Sequence, residues 1–328
     1  ATVQALNLEL MFCNTYHLLL QPGTEVVAKA GGLHSFINRS LPIITDSGGF
    51  QVFSLAYGSV ADELKSKGTK KHANSVLKIT EEGVIFRSYI DGRKVLLTPE
   101  SSIAAQKDLG ADIIITFDEL PPYHISSTAL HKSFERTHRW QERSLIAHRA
   151  DPRKQALFAV VHGGIDNELR KQSCDFLKNL PFDGFAIGGS LGKNKSEMYE
   201  LLLHAIPHLP NEAPRHLLGI GDLTSLDACI PLGLDTFDSS YPTKLARHGI
   251  ALTARGPVNM TRGEQKADFS PLCKECPCYT CQNYSAAYLH HLFKAKELAA
   301  YSLATIHNIH FMVEKMRHVR QMILEDQI

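Results

Sequence analysis

Residues 273–284, CKECPCYTCQNY, hold four cysteines within nine positions, while the rest of the chain has only Cys13, Cys174 and Cys229. The spacing Cys276-x-Cys278-x-x-Cys281 lets one loop wrap three thiolates around a tetrahedral ion and leaves the fourth vertex to a distant residue. Cys273 would complete an all-cysteine set. A histidine from the segment that follows (His290, His291, His307 or His310) would complete a set of three cysteines and one histidine, with less strain on the loop. Four protein ligands close the coordination shell, so the ion would be structural and zinc the default. A redox Cys-x-x-Cys pair is the competing chemistry. A second constellation is acidic: Asp46 in TDSGGF, Asp118 in TFDE and Asp238 in TFDSSYPT each stand where an apolar run stops. A single carboxylate in that position can simply cap the next helix. Several on one edge suit cleavage of a glycosidic bond, which uses one carboxylate as nucleophile and another to move a proton.

Such residues need a frame that brings them together. Apolar runs at 8–14, 41–49, 111–119, 156–164, 182–189, 215–221 and 234–240 read as buried parallel strands, with helical patterns near 99–109, 126–148, 166–179, 194–207 and 222–232. In TPESS, Thr98 is the expected N-cap and Pro99 the first helical residue. Seven β–α units predict an α/β fold of the (β/α)8 TIM-barrel type, with an eighth strand expected before residue 1. The ends of barrel strands converge on one face, where such folds place their chemistry. Residues 76–98 alternate and turn at Asp91-Gly92, which predicts a β-hairpin insertion. The barrel is expected over 1–250. The cysteine cluster and a long helical segment from about 285 to 324 are expected to form a zinc-binding subdomain over 251–328, packed on the barrel as an appendage.

Composition narrows the function. With 328 residues, 44% hydrophobic and a net charge of +1, the chain is unsuited to nonspecific coating of nucleic acid. An odd, clustered set of seven cysteines argues for a reducing, cytoplasmic setting and a metal over a disulfide framework. No apolar run reaches the roughly 18 residues of a membrane-spanning helix. Residues 132–154 carry Lys132, Arg136, Arg139, Arg143, Arg149, Arg153 and Lys154 against Glu135, Glu142 and Asp151, a pattern read as a solvated helix face.

The motifs NTYHLLLQPG, TDSGGFQVFSL, FDELPPY, FAIGG, FDSSYPTKLARHG, CPCYTC and HNIHFM, in this order, resemble those of the tRNA-guanine transglycosylases over nearly the whole chain. The resemblance implies a zinc-bearing (β/α)8 enzyme that exchanges guanine-34 of tRNAs with a GUN anticodon (Asp, Asn, His, Tyr) for queuine or preQ1. It implies Asp238 as nucleophile at ribose C1′ and Asp46 as acid/base. It places the base among Asp46, Ser47, Gly48, Gly49, Phe50, Asp118, His162, Gly188, Gly189, Leu218 and Gly219. It assigns tRNA contact to Gly219, Ile220, Gly221, Asp222, Leu223, Thr224, Ser225, Thr243, Lys244, Leu245, Ala246 and Arg247. The implied metal ligands are Cys276, Cys278, Cys281 and His307, with a homodimer as the expected assembly and no membrane partner.

Departures from the family pattern carry information. His162 stands where glutamine is usual, Lys244 where arginine is common, and Leu120 where most bacterial members have cysteine. Gly192 replaces valine and is expected to leave room for a bulkier base substituent, which favours queuine. The alternative reading is the noncatalytic tRNA-binding partner subunit of such an enzyme. A glycosidase on the same barrel would leave the cysteine cluster and PTKLAR without a purpose.

Overall fold

The computed structural model describes residues 5–58, 65 and 76–328. They gather into two compact units, one within 10–238 and the other formed by 5–9 with 239–328.

The larger unit is built on short parallel strands: β1 (Met11–Cys13), β2 (Ile43–Thr45) and, after an insertion of β3 (Val76–Ile79), β4 (Val84–Arg87) and β5 (Lys94–Leu97), β6 (Ile113–Ile115), β7 (Ala156–Val161), β8 (Gly184–Ile187), β9 (Arg215–Leu217) and β10 (Thr236–Phe237). The seven parallel strands pair in chain order, β1-β2-β6-β7-β8-β9-β10. Phe12 of β1 stacks on His216 of β9, with ring centroids 6.2 Å apart and planes at 10°. In a flat sheet five strand spacings would hold these rings roughly 24 Å apart, so the sheet is curled on itself as a TIM-type barrel requires. Side chains alternate accordingly. Phe158 and Val160 of β7 join Ile44, Ile115 and Ala186 inside the curl, whereas Ala159 and Val161 pack with the covering helices.

Helix boundaries follow local chemistry. Ser126, Asp166, Asn194 and Asp222 each cap a helix by accepting the N–H three residues on. Thr98 caps Pro99–Leu109 through a reciprocal bond with Ser101. Pro207 and Pro231 end two helices earlier than the apolar pattern suggests, because each removes a donor and the last turn tightens to a 3-10 turn. The expected hairpin at 76–98 is instead a three-stranded antiparallel sheet. A second turn forms at 80–83, where the Thr80 N–H and hydroxyl both donate to the Gly83 carbonyl.

Two buried glutamines act as artificial strand neighbours where the barrel strands splay. Gln106 accepts from the Ile115 N–H and donates to its carbonyl, both at 2.9 Å. Gln141 does the same to Val160, at 2.9 and 2.8 Å. Each side chain is fully enclosed.

The second unit has its own apolar core of Ala246, Ala251, Met260, Leu289, Leu292, Phe293 and Leu303, among others. Its boundary falls at 238/239, earlier than the change in sequence rhythm near 250. Helix Tyr241–Arg247 belongs to this core, tied in by Asn308, which donates to the carbonyls of Pro242 (3.0 Å) and Ile250 (2.9 Å) and accepts from the Leu252 N–H. The helical segment expected over 285–324 consists of two helices, Ala286–Ala295 and Leu298–Leu324, parted where Lys296 turns left-handed at φ 59°.

Gln106→Leu would strand the Ile115 N–H and carbonyl in a dry interior, at a cost of roughly 2–5 kcal/mol. We expect a melting temperature lower by about 5–15 °C in scanning calorimetry, and a value matching the parent would show that the strap carries no weight.

Candidate active site and metal centre

Parallel strands put every C-terminal end on one edge of the sheet, and the acidic residues follow those ends. Asp46 comes directly after β2, Asp118 three residues beyond β6, and Asp238 directly after β10. Asp46 is buried at 8% exposure. Its Oδ1 accepts the Thr15 N–H at 2.7 Å, its Oδ2 accepts from Asn14 Nδ2 at 2.8 Å, and the Thr15 hydroxyl donates to its carbonyl. Asn14 also caps helix Thr15–Leu20 through its Oδ1, so a single side chain orients both the helix and the acid.

Burial pushes the Asp46 carboxyl up to about 7; the Thr15 N–H partly offsets this, and the negative charge of Asp238 raises it again. Asp118 is likewise raised to about 7, chiefly by burial and further by the charges of Asp46 and Glu119. Asp46 thus feels the charge of Asp238, and Asp118 that of Asp46, along the one strand edge. Gly49 is required for that closeness, because a Cβ there would lie 2.7 Å from the Asp118 carbonyl oxygen and 3.1 Å from its Oδ1.

Asp238 is held differently. Its Oδ1 accepts the Gly219 N–H at 2.8 Å and lies 3.2 Å from Nε2 of the fully buried His216, whose Nδ1 is 2.9 Å from the Thr236 hydroxyl. With Thr236 donating to Nδ1, the imidazole donates from Nε2 to Asp238. Among the described residues no hydrogen bond engages its Oδ2. Phe50, 47% exposed at the start of helix Gly49–Tyr57, presents a ring face suited to stacking. Gly189 is exposed between buried Gly188 and Ser190.

Other expectations fare differently. His162 offers no edge to a base: its Nε2 lies 2.7 Å from the Glu119 carbonyl, its Nδ1 accepts the Gly163 N–H, and burial pushes it down to about 3. Gly192 leaves no open space, because a Cβ there would come 2.8–3.0 Å from the Glu197 side chain, whose carboxylate accepts the Lys193 N–H at 2.6 Å. The Glu197 side chain thus occupies the direction that a larger residue at 192 would take. In the stretch 219–225, Asp222 is taken up by capping and by a pair with Lys195, and Gly221 and Ser225 are buried. In the second unit, Ala246 faces the core, while Lys244 and Arg247 share the exposed side of their helix. The basic stretch 132–154 is largely neutralised by Arg136–Glu119, Arg139–Glu81, Arg143–Glu100 and Arg153–Asp151 pairs, which upholds the solvated-face reading. Asn14, Thr15 and His216 hold the acids in place, and the sequence reading assigns them no role. The available signal is a polar group at or inside an otherwise apolar run, in LELMFCN and RHLLGIG.

In the second unit Cys276, Cys278, Cys281 and His307 bring one ligand atom each to within 4.8 Å of one another. The sulfurs stand 3.9, 3.6 and 3.3 Å from His307 Nδ1, close to the roughly 3.6 Å edge of a tetrahedron with zinc-like bond lengths. His307 Nε2 donates to the Leu252 carbonyl at 2.8 Å, which leaves the Nδ1 lone pair facing the thiols. Hydrogen bonds from Cys276 and Cys281 push the Cys278 thiol down, while the bonds of Cys276 and Cys278 push the Cys281 thiol up. Cys273 lies outside it, 3.6 Å from Glu275. This group can hold a metal ion.

Comparison with known proteins agrees over the full chain. A family model described as Queuine tRNA-ribosyltransferase matches residues 1–328. A protein of that name from Protochlamydia amoebophila is 66% identical over 335 residues, covering 100% of this chain and 87% of the relative. Namesakes from Chlamydia felis and Chlamydia caviae are 56% and 55% identical, each covering 98% of this chain and 87% of the relative.

The ligand geometry predicts that Cys281→Ser or His307→Ala loses the bound ion and destabilises the second unit, whereas Cys273→Ser retains one ion per chain. Elemental analysis of the purified variants decides this; a requirement for Cys273 and indifference to His307 would overturn the set of three cysteines and one histidine.

Proposed function

The chain belongs to the queuine tRNA-ribosyltransferase family, and from that premise we propose that it exchanges guanine-34 of GUN-anticodon tRNAs for queuine or preQ1 by double displacement. The observation that carries this reading is the pairing of unlike carboxylates on one strand edge: Asp46 raised to about 7 by burial, and Asp238 anchored through one oxygen with the other unengaged. In the first displacement Asp238 Oδ2 bonds to ribose C1′ as the bond from C1′ to the guanine nitrogen breaks, and Asp46 gives its proton to the departing base. In the second, Asp46 takes a proton from the incoming base, whose nitrogen attacks C1′ and expels Asp238. Two inversions retain the β-configuration. One similar bond is exchanged for another, so no nucleotide energy is consumed.

Asp118 suits the guanine edge, since a carboxylate can accept from both N1–H and the 2-amino group, with Phe50 and Leu218 on opposite faces of the ring. Lys244 and Arg247 offer charge to backbone phosphates. The ion held by Cys276, Cys278, Cys281 and His307 is read as zinc, a structural ion that fixes the loop and takes no part in the exchange. A run of rings in the second unit, exposed Tyr279, Tyr288 and His291 linked through half-buried Tyr284, with centroids 5.4–6.4 Å apart, is the surface we assign to a homodimer. Among the described residues no helix is long and apolar enough to cross a membrane.

Asp238→Ala is expected to abolish incorporation of labelled guanine into a GUN anticodon stem-loop and to lose the denaturant-resistant protein–RNA adduct, while still binding the RNA. Full exchange by this variant, or binding without exchange by the parent, would sink the reading in favour of a noncatalytic partner subunit. Because Asp118 must be ionised to accept from the base and titrates near 7, guanine affinity should fall about tenfold per pH unit below 7 and level off above it. Asp118→Asn should flatten that profile in a competition assay.

A further inference from the structure

One buried ion remains unused by the chemistry above. Arg170, on helix Asn167–Leu177, is 1% exposed, and among the described residues no carboxylate is a hydrogen-bond partner. Its guanidinium is solvated by four backbone carbonyls instead: Nε donates to Gly164 at 2.7 Å, one terminal nitrogen to Val161 at 3.3 Å, and the other to Gly188 and Ser190 at 3.0 and 3.1 Å. A buried cation without an anion is costly, by several kcal/mol. Burial lowers its pKa only to about 10, so it remains charged at neutral pH. Its four acceptors lie at the end of β7 and in the two loops that follow β7 and β8.

The consequence lies in the peptide between Gly188 and Gly189. In a trans peptide the carbonyl and the N–H point in opposite directions. With the Gly188 oxygen turned onto Arg170, the Gly189 N–H must face the other way. Gly189 is exposed, no hydrogen bond engages its N–H among the described residues, and its φ of 82° is one that glycine adopts without strain. A Cβ on Gly189 would lie 3.6 Å from Leu120, two residues after Asp118, so this donor opens beside the carboxylate that faces the guanine edge. A cation at the oxygen end of a peptide also polarises it and strengthens the donor at the other end.

Resting on the transglycosylase reading, we propose that Arg170 is a positioning residue for base recognition. It fixes and polarises the Gly188–Gly189 peptide so that the Gly189 N–H reads the 6-oxygen of the bound base, next to the N1–H and 2-amino group read by Asp118. Without the fork, the peptide is free to flip and present a carbonyl, which repels that oxygen.

The test compares guanine with 6-thioguanine, which keeps N1–H and the 2-amino group but replaces the oxygen by a weakly accepting sulfur. Inhibition constants against tRNA exchange are measured for the parent, Arg170→Gln and Arg170→Lys. In the parent, guanine should bind at least about tenfold more tightly than its thio analogue. In Arg170→Gln this preference should shrink about tenfold, through weaker guanine binding alone and with an unchanged KM for tRNA; Arg170→Lys, which keeps charge but not the fork, should fall between. Equal weakening of both bases, or no preference in the parent, overturns the proposal. If Arg170→Gln does not fold, Arg170→Lys and the parent comparison decide alone. Absence of guanine exchange in the parent would instead overturn the underlying reading, and this inference with it.

Discussion

Removing carboxylates from water is the constraint on which the rest of this structure depends. An isolated ionised acid in a dry interior is very costly, and proteins meet that cost by neutralising the group or by supplying donors. Both solutions occur here along one strand edge. Asp46 is buried deeply enough to titrate near neutrality, with the Thr15 N–H and Asn14 amide offsetting part of the penalty. Asp238 keeps contact with solvent and receives donors at one oxygen only. The same side-chain chemistry thus suits the two roles we propose, proton carrier and nucleophile, through environment alone.

The scaffold serves that division in detail. Strands of two to six residues cannot fix their ends by ladder hydrogen bonds alone, and the buried amides of Gln106 and Gln141 complete the pairing where neighbouring strands separate. Glycine at 49 permits the Asp46 and Asp118 loops to touch. Arg170 plays the corresponding part for the loops after β7 and β8, directing a full charge onto carbonyls that would otherwise be unpaired. Backbone groups held in this way carry no side-chain entropy cost, which suits the base reading proposed for Gly189.

The second unit follows a separate logic. Its apolar core is assembled from helices that cross-link through Asn308, while the cysteine loop has little apolar material of its own and is organised around His307. A metal there would stabilise the fold without touching the chemistry, which matches a ligand set that leaves no open vertex.

Much of this was legible in the linear sequence because the signals are local. Apolar runs ending in Asp46, Asp118 and Asp238 located the strand ends; the cysteine spacing located three ligands; and the family motifs singled out His307 among four candidate histidines. Cap residues placed the helix starts. The sequence could not show which way a side chain points once its neighbours arrive. His162 turns to the Glu119 carbonyl; Glu197 fills the space that Gly192 leaves; Ala246 faces the core within a motif whose Lys244 and Arg247 face out. His216 meets Asp238 because β9 and β10 pair side by side with Thr236 opposite His216, and the curl of the sheet brings the same ring against Phe12 of β1. Sequence determined which groups are available and roughly where along the chain they fall. Tertiary structure decided their protonation and their partners, because burial and hydrogen bonding are set by residues tens of positions away.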